Sequence, residues 1–267
     1  MTEGGPGGGA QVAGEEAAAE AAVLFDEAEK LLTAIRSGLA RPECKLLWGE
    51  STFGRVFSFA ALSHECILVD QMVLCVRQEM PSAVMALLCR SHLETWLTGV
   101  YLWGGGAKAL ATFLGQTTSA HEKLRNAIEG LHAEGRALDV AVPALDDFDW
   151  AAQSWNFFEV ARDLEKLGTL SGLFSGALAN YQIVYRALSG LHGTHPTHRF
   201  LDGYVETPGS FARVLPGSQA PPLRRALLQY AVAFTAVHAS FAFAERGLPV
   251  TVFGEVYLKL IPSGGTT

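Results

Sequence analysis

"SAVMALLCRSHLETWLTGVYLW", Ser82 to Trp103, is the stretch on which the fold turns. It runs from Pro81 to the triple glycine Gly104-Gly105-Gly106 with no proline inside. Leu87, Leu88, Leu93, Trp96, Leu97, Val100 and Tyr101 spread over several directions of a 3.6-residue turn, so the segment reads as a helix buried nearly all round. Arg90 and Glu94 stand at i and i+4 and share one face of that helix. A charge in such a helix is costly unless paired and hydrogen-bonded. The two therefore pair with each other, reach a polar cavity, or sit together on an exposed surface.

Helical spacing extends outward on both sides. "EEAAAEAAVLFDEAEKLLTAIRSGL" repeats Leu24, Ala28, Leu31, Leu32, Ile35 and Leu39, with acids in its first turn and Gly38 near its end. "FGRVFSFAALSHECILVDQMVLCVRQEM" predicts a second helix, capped by Ser51 or Thr52 and stopped near Pro81. Further helices are expected over roughly 107–134, 150–167, 173–191 and 224–246, with Asp146, Asp147 and Asp149 capping the fifth. Pro196, Pro208, Pro216, Pro221 and Pro222 break the stretch from His192 to Pro222 into a long irregular loop before the last helix. "LPVTVFGEVYLKLIP" is apolar and β-branched, and reads as a short strand or an extended tail packed on the bundle. No strand–helix alternation and no internal repeat occur. The reading is all-α: a disordered tail over 1–14 and one bundle of about seven helices over 15–260.

Totals narrow the function classes. The chain has 267 residues, 49% of them hydrophobic and only 18% charged, which suits helices buried on more than one face and is compatible with a homodimer. A net charge of −7 argues against a protein that coats nucleic acid non-specifically. From Lys166 to Leu201, however, there is no Asp or Glu, while Arg186, His192, His195, His198 and Arg199 all fall there, so any anion is expected to meet this part. The cysteines, Cys44, Cys66, Cys75 and Cys89, lack C-x-x-C pairing and read as free thiols in apolar helices. The Gly-rich, acidic start is unlike a secretory signal, which gives a cytoplasmic expectation. Ala226 to Ala244 carries no formal charge and is nearly long enough to span a bilayer, but its Gln229, Thr235, His238 and Ser240 favour a buried core helix over membrane contact.

A second polar stripe lies in the expected sixth helix. Tyr185, Ser189 and His192 fall at i, i+4 and i+7, with Arg186 bordering them and Gly193 placed to end the helix. Two polar stripes in one apolar bundle are most simply explained if they face each other. "RSHLETWLTGVYL" and "YRALSGLHGTHP" resemble the paired signatures of an uncharacterised bacterial helical family, domain of unknown function 5677, in which an Arg and Glu on one helix recur with a Tyr, Ser and His on a later one. More distantly, Arg186 followed by His192 is similar to the pattern of the HEPN helical domains, whose metal-independent ribonucleases carry an Arg and, several residues on, a His. That likeness implies Arg186 on a phosphate and His192 moving a proton at a 2′-hydroxyl. Ala187 stands where that family usually has a polar residue.

The resulting expectation is an internal site with His192 and Arg186 as catalytic residues and Arg90, Glu94, Tyr185, Ser189 and His195 as binding residues, acting on RNA or a small anionic ligand such as a nucleotide phosphate. The alternative is a non-catalytic helical interaction or small-ligand-binding protein, with Arg90, Glu94, Tyr185, Ser189 and His192 in a buried structural network. Whether the chain is an enzyme stays open. No cofactor or metal is expected: "SHEC" at Ser63–Cys66 lacks the partner motif of the zinc deaminases, no H-E-x-x-H occurs, and Pro196 prevents a regular helix through His192, His195 and His198. Ser189 has no G-x-S-x-G context.

Overall fold

In the computed structural model, residues 8–46, 53–133, 156–166, 205–206, 213–214 and 221–261 are described. Seven α-helices occupy them: α1 (Gly8–Leu39), α2 (Phe53–Arg77), α3 (Ser82–Gly104), α4 (Gly106–Ala133), α5 (Phe157–Glu165), α6 (Pro221–Ala244) and α7 (Thr251–Leu260). A 3-10 turn at Pro42–Cys44 follows α1. The expected all-α bundle is what the chain forms. One small exception lies inside the proline-broken segment, where Val205–Glu206 (β1) and Arg213–Val214 (β2) pair antiparallel.

The helices begin and end for local reasons. Pro81 starts α3, and Glu79, at φ 52°, turns the chain between α2 and α3, with the Met80 N–H donating to the Cys75 carbonyl at 2.9 Å. Gly105 and Gly106 divide α3 from α4; Gly106 takes φ 60°, which suits a residue with no Cβ. The Asn156 side chain caps α5 by accepting from the Phe158 N–H at 2.9 Å. The acidic cluster Asp146, Asp147 and Asp149 was expected in that role; it lies outside the described residues. So does the expected sixth helix over 173–191. Of the expected tail over 1–14, residues 8–14 belong to α1 and the remainder is likewise outside.

Two apolar clusters share α3 and α6. The larger joins Leu24, Ala28, Leu31, Leu32 and Ile35 of α1 to Leu62, Val69 and Met72 of α2, Met85 and Cys89 of α3, Leu228 and Val232 of α6, and Phe253 and Val256 of α7. The smaller joins Trp96, Leu97 and Val100 of α3 to Ala109 of α4, Val160, Ala161 and Leu164 of α5, and Val237 and Phe241 of α6. Both α2 and α6 have the length and composition to cross a membrane, a test that core helices also pass. α6 is buried on most of its surface, as expected for a core helix.

The C-terminal segment corrects one expectation. "TVFGEVYLKL" is helix α7, neither strand nor extended tail. Phe253, Val256 and Leu260 repeat at helical spacing, and that face buries against α1 and α6, so tertiary burial outweighs the weak β preference of its valines. Lys259 pairs with the buried carboxyl of Glu27, and Gln229 donates to the Leu260 carbonyl, which fastens both flanks of α7.

Candidate functional site

Arg90 and Glu94 pair with each other. The Arg90 Nε donates to Glu94 Oε1 at 2.9 Å, and the two side chains keep 21% and 29% of their exposure. The pair is therefore neither sealed in the core nor loose on the surface. Glu94 also lines a groove of about 490 Å³ between α2 and α3. Phe57, Ala60, Ala61 and His64 come from α2, Ser91, Glu94, Thr95 and Thr98 from α3, and Phe113 and Phe157 close the end at α4 and α5. Its walls combine an aromatic and alanine floor with a carboxylate, an imidazole and three hydroxyls. The Thr98 hydroxyl donates to the Glu94 carbonyl at 2.8 Å, and the Phe57 and Phe113 rings meet edge-on at 4.6 Å.

Beneath that floor lies a polar network that the sequence reading missed. Glu65 of α2, at 0% exposure, accepts at Oε1 from His238 Nδ1 of α6 at 2.6 Å, and His238 Nε2 meets the Ser58 hydroxyl at 2.8 Å. With the ring proton on Nδ1, Nε2 is the acceptor and Ser58 the donor. On the far side of the carboxylate, His92 Nε2 lies 4.0 Å from Glu65 Oε2 and bonds Thr235 Oγ1 at 2.7 Å. Burial holds the His92 imidazole down at about pH 4, with Glu65 opposing that shift, so it is neutral at pH 7. Gly99 lets this layer approach the groove: a Cβ there would lie 2.8 Å from both the Ala61 Cβ and the His238 ring.

Serine, imidazole and carboxylate follow one another here in the order of nucleophile, base and orienting group. Solvent does not reach them, however: Ser58 and Glu65 are at 0% exposure and His238 at 1%. In this arrangement they tie α2 to α6, and the His92–Thr235 bond ties α3 to α6. A signal for them was present in the sequence, because Ser58 and Glu65 fall in phase with the core stripe of Ala61, Leu62, Val69 and Met72. A carboxylate on the buried side of a helix requires a partner across the core.

Of the expected site residues, Tyr185, Arg186, Ser189, His192 and His195 lie outside the described residues, and only Arg90 and Glu94 are placed. Among the cysteines, Cys66, Cys75 and Cys89 are buried and Cys44 is partly so, all as free thiols. Burial pushes the Cys66 and Cys89 thiols up to about 12, which makes them inert. No group of three or more His, Cys, Asp or Glu suited to a metal occurs among the described residues. Comparison with models of known families, with curated proteins and with solved structures finds no match to this chain.

Proposed function

We propose that the protein is a helical small-ligand-binding protein whose site is the groove between α2 and α3 beside the Arg90–Glu94 pair. The observation that carries this reading is the lining: three phenylalanines and two alanines face the same space as Glu94, His64, Ser91, Thr95 and Thr98. Concave, mostly apolar sites with a few convergent polar groups are the usual form of small-molecule pockets. The volume and chemistry fit a nucleoside-sized ligand, with a flat ring against the apolar floor and sugar hydroxyls on the Glu94 carboxylate and the threonines. The buried network behind Ala61 and Gly99 gives the floor a rigid backing.

Calorimetric titration of the full chain with adenosine, guanosine, cytidine and uridine and their 5′-monophosphates tests this. At least one should bind saturably, and Glu94→Gln should weaken it about tenfold, the loss of one hydrogen bond to a charged group. Absence of saturable heat for all eight compounds at millimolar concentration overturns the reading.

A second reading, RNA or nucleotide-phosphate binding or cleavage, has Arg186 on the phosphate and His192 as the proton-transfer group, with Tyr185, Ser189, Glu94, Arg90 and His195 around them. It is supported by the sequence resemblance and by the partly open position of the Arg90–Glu94 pair. His192→Ala should abolish cleavage of an RNA oligonucleotide while leaving helical circular dichroism unchanged; cleavage that survives removes this reading. A cytoplasmic location and a homodimer belong to both readings, and are checked by cell fractionation and light scattering.

A further inference from the structure

Away from the groove, about 20 Å further along α2 at 1.5 Å per residue, three arginines line a second hollow of about 410 Å³. Arg77 comes from the last turn of α2, and Arg224 and Arg225 from the first turns of α6. Ala18, Ala21 and Ala22 of α1 leave the space open, Phe25 and Val76 form its floor, and Glu79 is the single carboxylate on its rim. Among the described residues, three guanidinium groups and one carboxylate therefore line one concave space.

Arg224 is the decisive member. It is 8% exposed, yet its one hydrogen bond runs from Nη1 to the Met80 carbonyl at 2.6 Å. Arg77 lies over the Phe25 ring, 5.0 Å from its centroid. Among the described residues neither Arg77 nor Arg224 forms an ion pair. A buried cation with no counter-ion is expensive. Placing two arginines at the start of α6 adds to the cost, because the N-terminal end of a helix carries partial positive charge and favours anions. A bound anion removes both penalties together.

We infer that this hollow is a phosphate-binding site, taking the dianionic phosphate of a phosphate monoester on the Arg77, Arg224 and Arg225 guanidinium groups. Planar guanidinium forks match two phosphate oxygens at once, and several of them suit a doubly charged group better than a single carboxylate. The site is independent of the nucleoside groove. Its ligand chemistry is shared by soluble phosphate monoesters and by the headgroup of phosphatidic acid.

The test uses the full chain and two probes, at constant ionic strength. First, thermal melting is followed while inorganic phosphate, then ribose 5-phosphate, replaces chloride. A saturable rise in Tm at millimolar phosphate is expected. Arg77→Ala removes an exposed side chain and its contact over Phe25, so its Tm in chloride is its own baseline, and its midpoint for phosphate should rise at least fivefold. Arg77→Ala/Arg225→Ala should lose the effect. Second, co-sedimentation with phosphatidylcholine vesicles with and without phosphatidic acid separates the sources. Arginine-dependent sedimentation assigns a lipid headgroup, and a Tm response without it assigns a soluble ester. A wild-type chain that gives neither response, or a double variant that responds as wild type does, overturns the inference. Since Arg224→Ala removes a buried hydrogen bond to Met80 and can unfold the chain by itself, the decision rests on Arg77 and Arg225.

Discussion

At the scale of single residues, the chemistry of this bundle centres on Glu65. Its carboxylate is buried, accepts from His238 through Oε1, and leaves Oε2 without a hydrogen bond. Glu65→Ala strands the His238 Nδ1–H and opens a cavity, so a loss of about 3 kcal/mol is expected in urea unfolding; Ser58→Ala, which removes one donor, should cost about 1 kcal/mol. Equal, negligible losses in both would show that the network does not hold the helices. His92 adds a pH dependence. Its folded-state imidazole is held down to about 4, against 6.5 when exposed, so the unfolded chain takes up a proton first as pH falls. Stability is then full above pH 6.5 and drains as pH falls toward 4, by up to about 1.4 kcal/mol per unit, or on the order of 3 kcal/mol in total. Comparing unfolding of wild type and His92→Asn at pH 7.5 and 4.5 isolates this share, and identical pH slopes would refute it.

At the scale of elements, close packing of α2 on α3 depends on Gly99. A methyl group there meets the Ala61 Cβ and the His238 ring at 2.8 Å, and neither is the free end of a flexible chain. Gly99→Ala should therefore destabilise by about 1–3 kcal/mol despite its better helix propensity, because overpacking displaces the ring from Ser58 and Glu65. A more stable variant would mean that the helices separate at little cost. Several element boundaries were legible beforehand: Pro81 and the triple glycine mark ends that the backbone obeys for steric reasons. The identity of α7 was not legible, since its valines suit either structure until α1 and α6 present a surface for Phe253, Val256 and Leu260.

At the scale of the whole molecule, α3 and α6 each contribute to both apolar clusters, which ties them into one unit. Leu31→Ala in the larger cluster and Leu164→Ala in the smaller should each lower one shared unfolding transition, by about 2–5 kcal/mol. Two separated transitions in calorimetry, each sensitive to only one substitution, would show that the clusters fold independently. The same sharing explains why α6 carries no formal charge beyond Arg225, from Ala226 to Ala244: a helix packed on several neighbours has little solvent-facing side to carry charge.

The amino-acid sequence by itself determined that this chain is helical, where several of its helices stop, and that Arg90 and Glu94 share one helix face, because periodicity, proline and glycine stereochemistry, and i,i+4 spacing are local properties of the backbone. Only the tertiary structure decided that Ser58, Glu65, His92, Thr235 and His238 form one network and that Arg77, Arg224 and Arg225 ring one hollow. These groups lie far apart along the chain, and their meeting depends on how α2, α3 and α6 pack against each other, which no local pattern encodes.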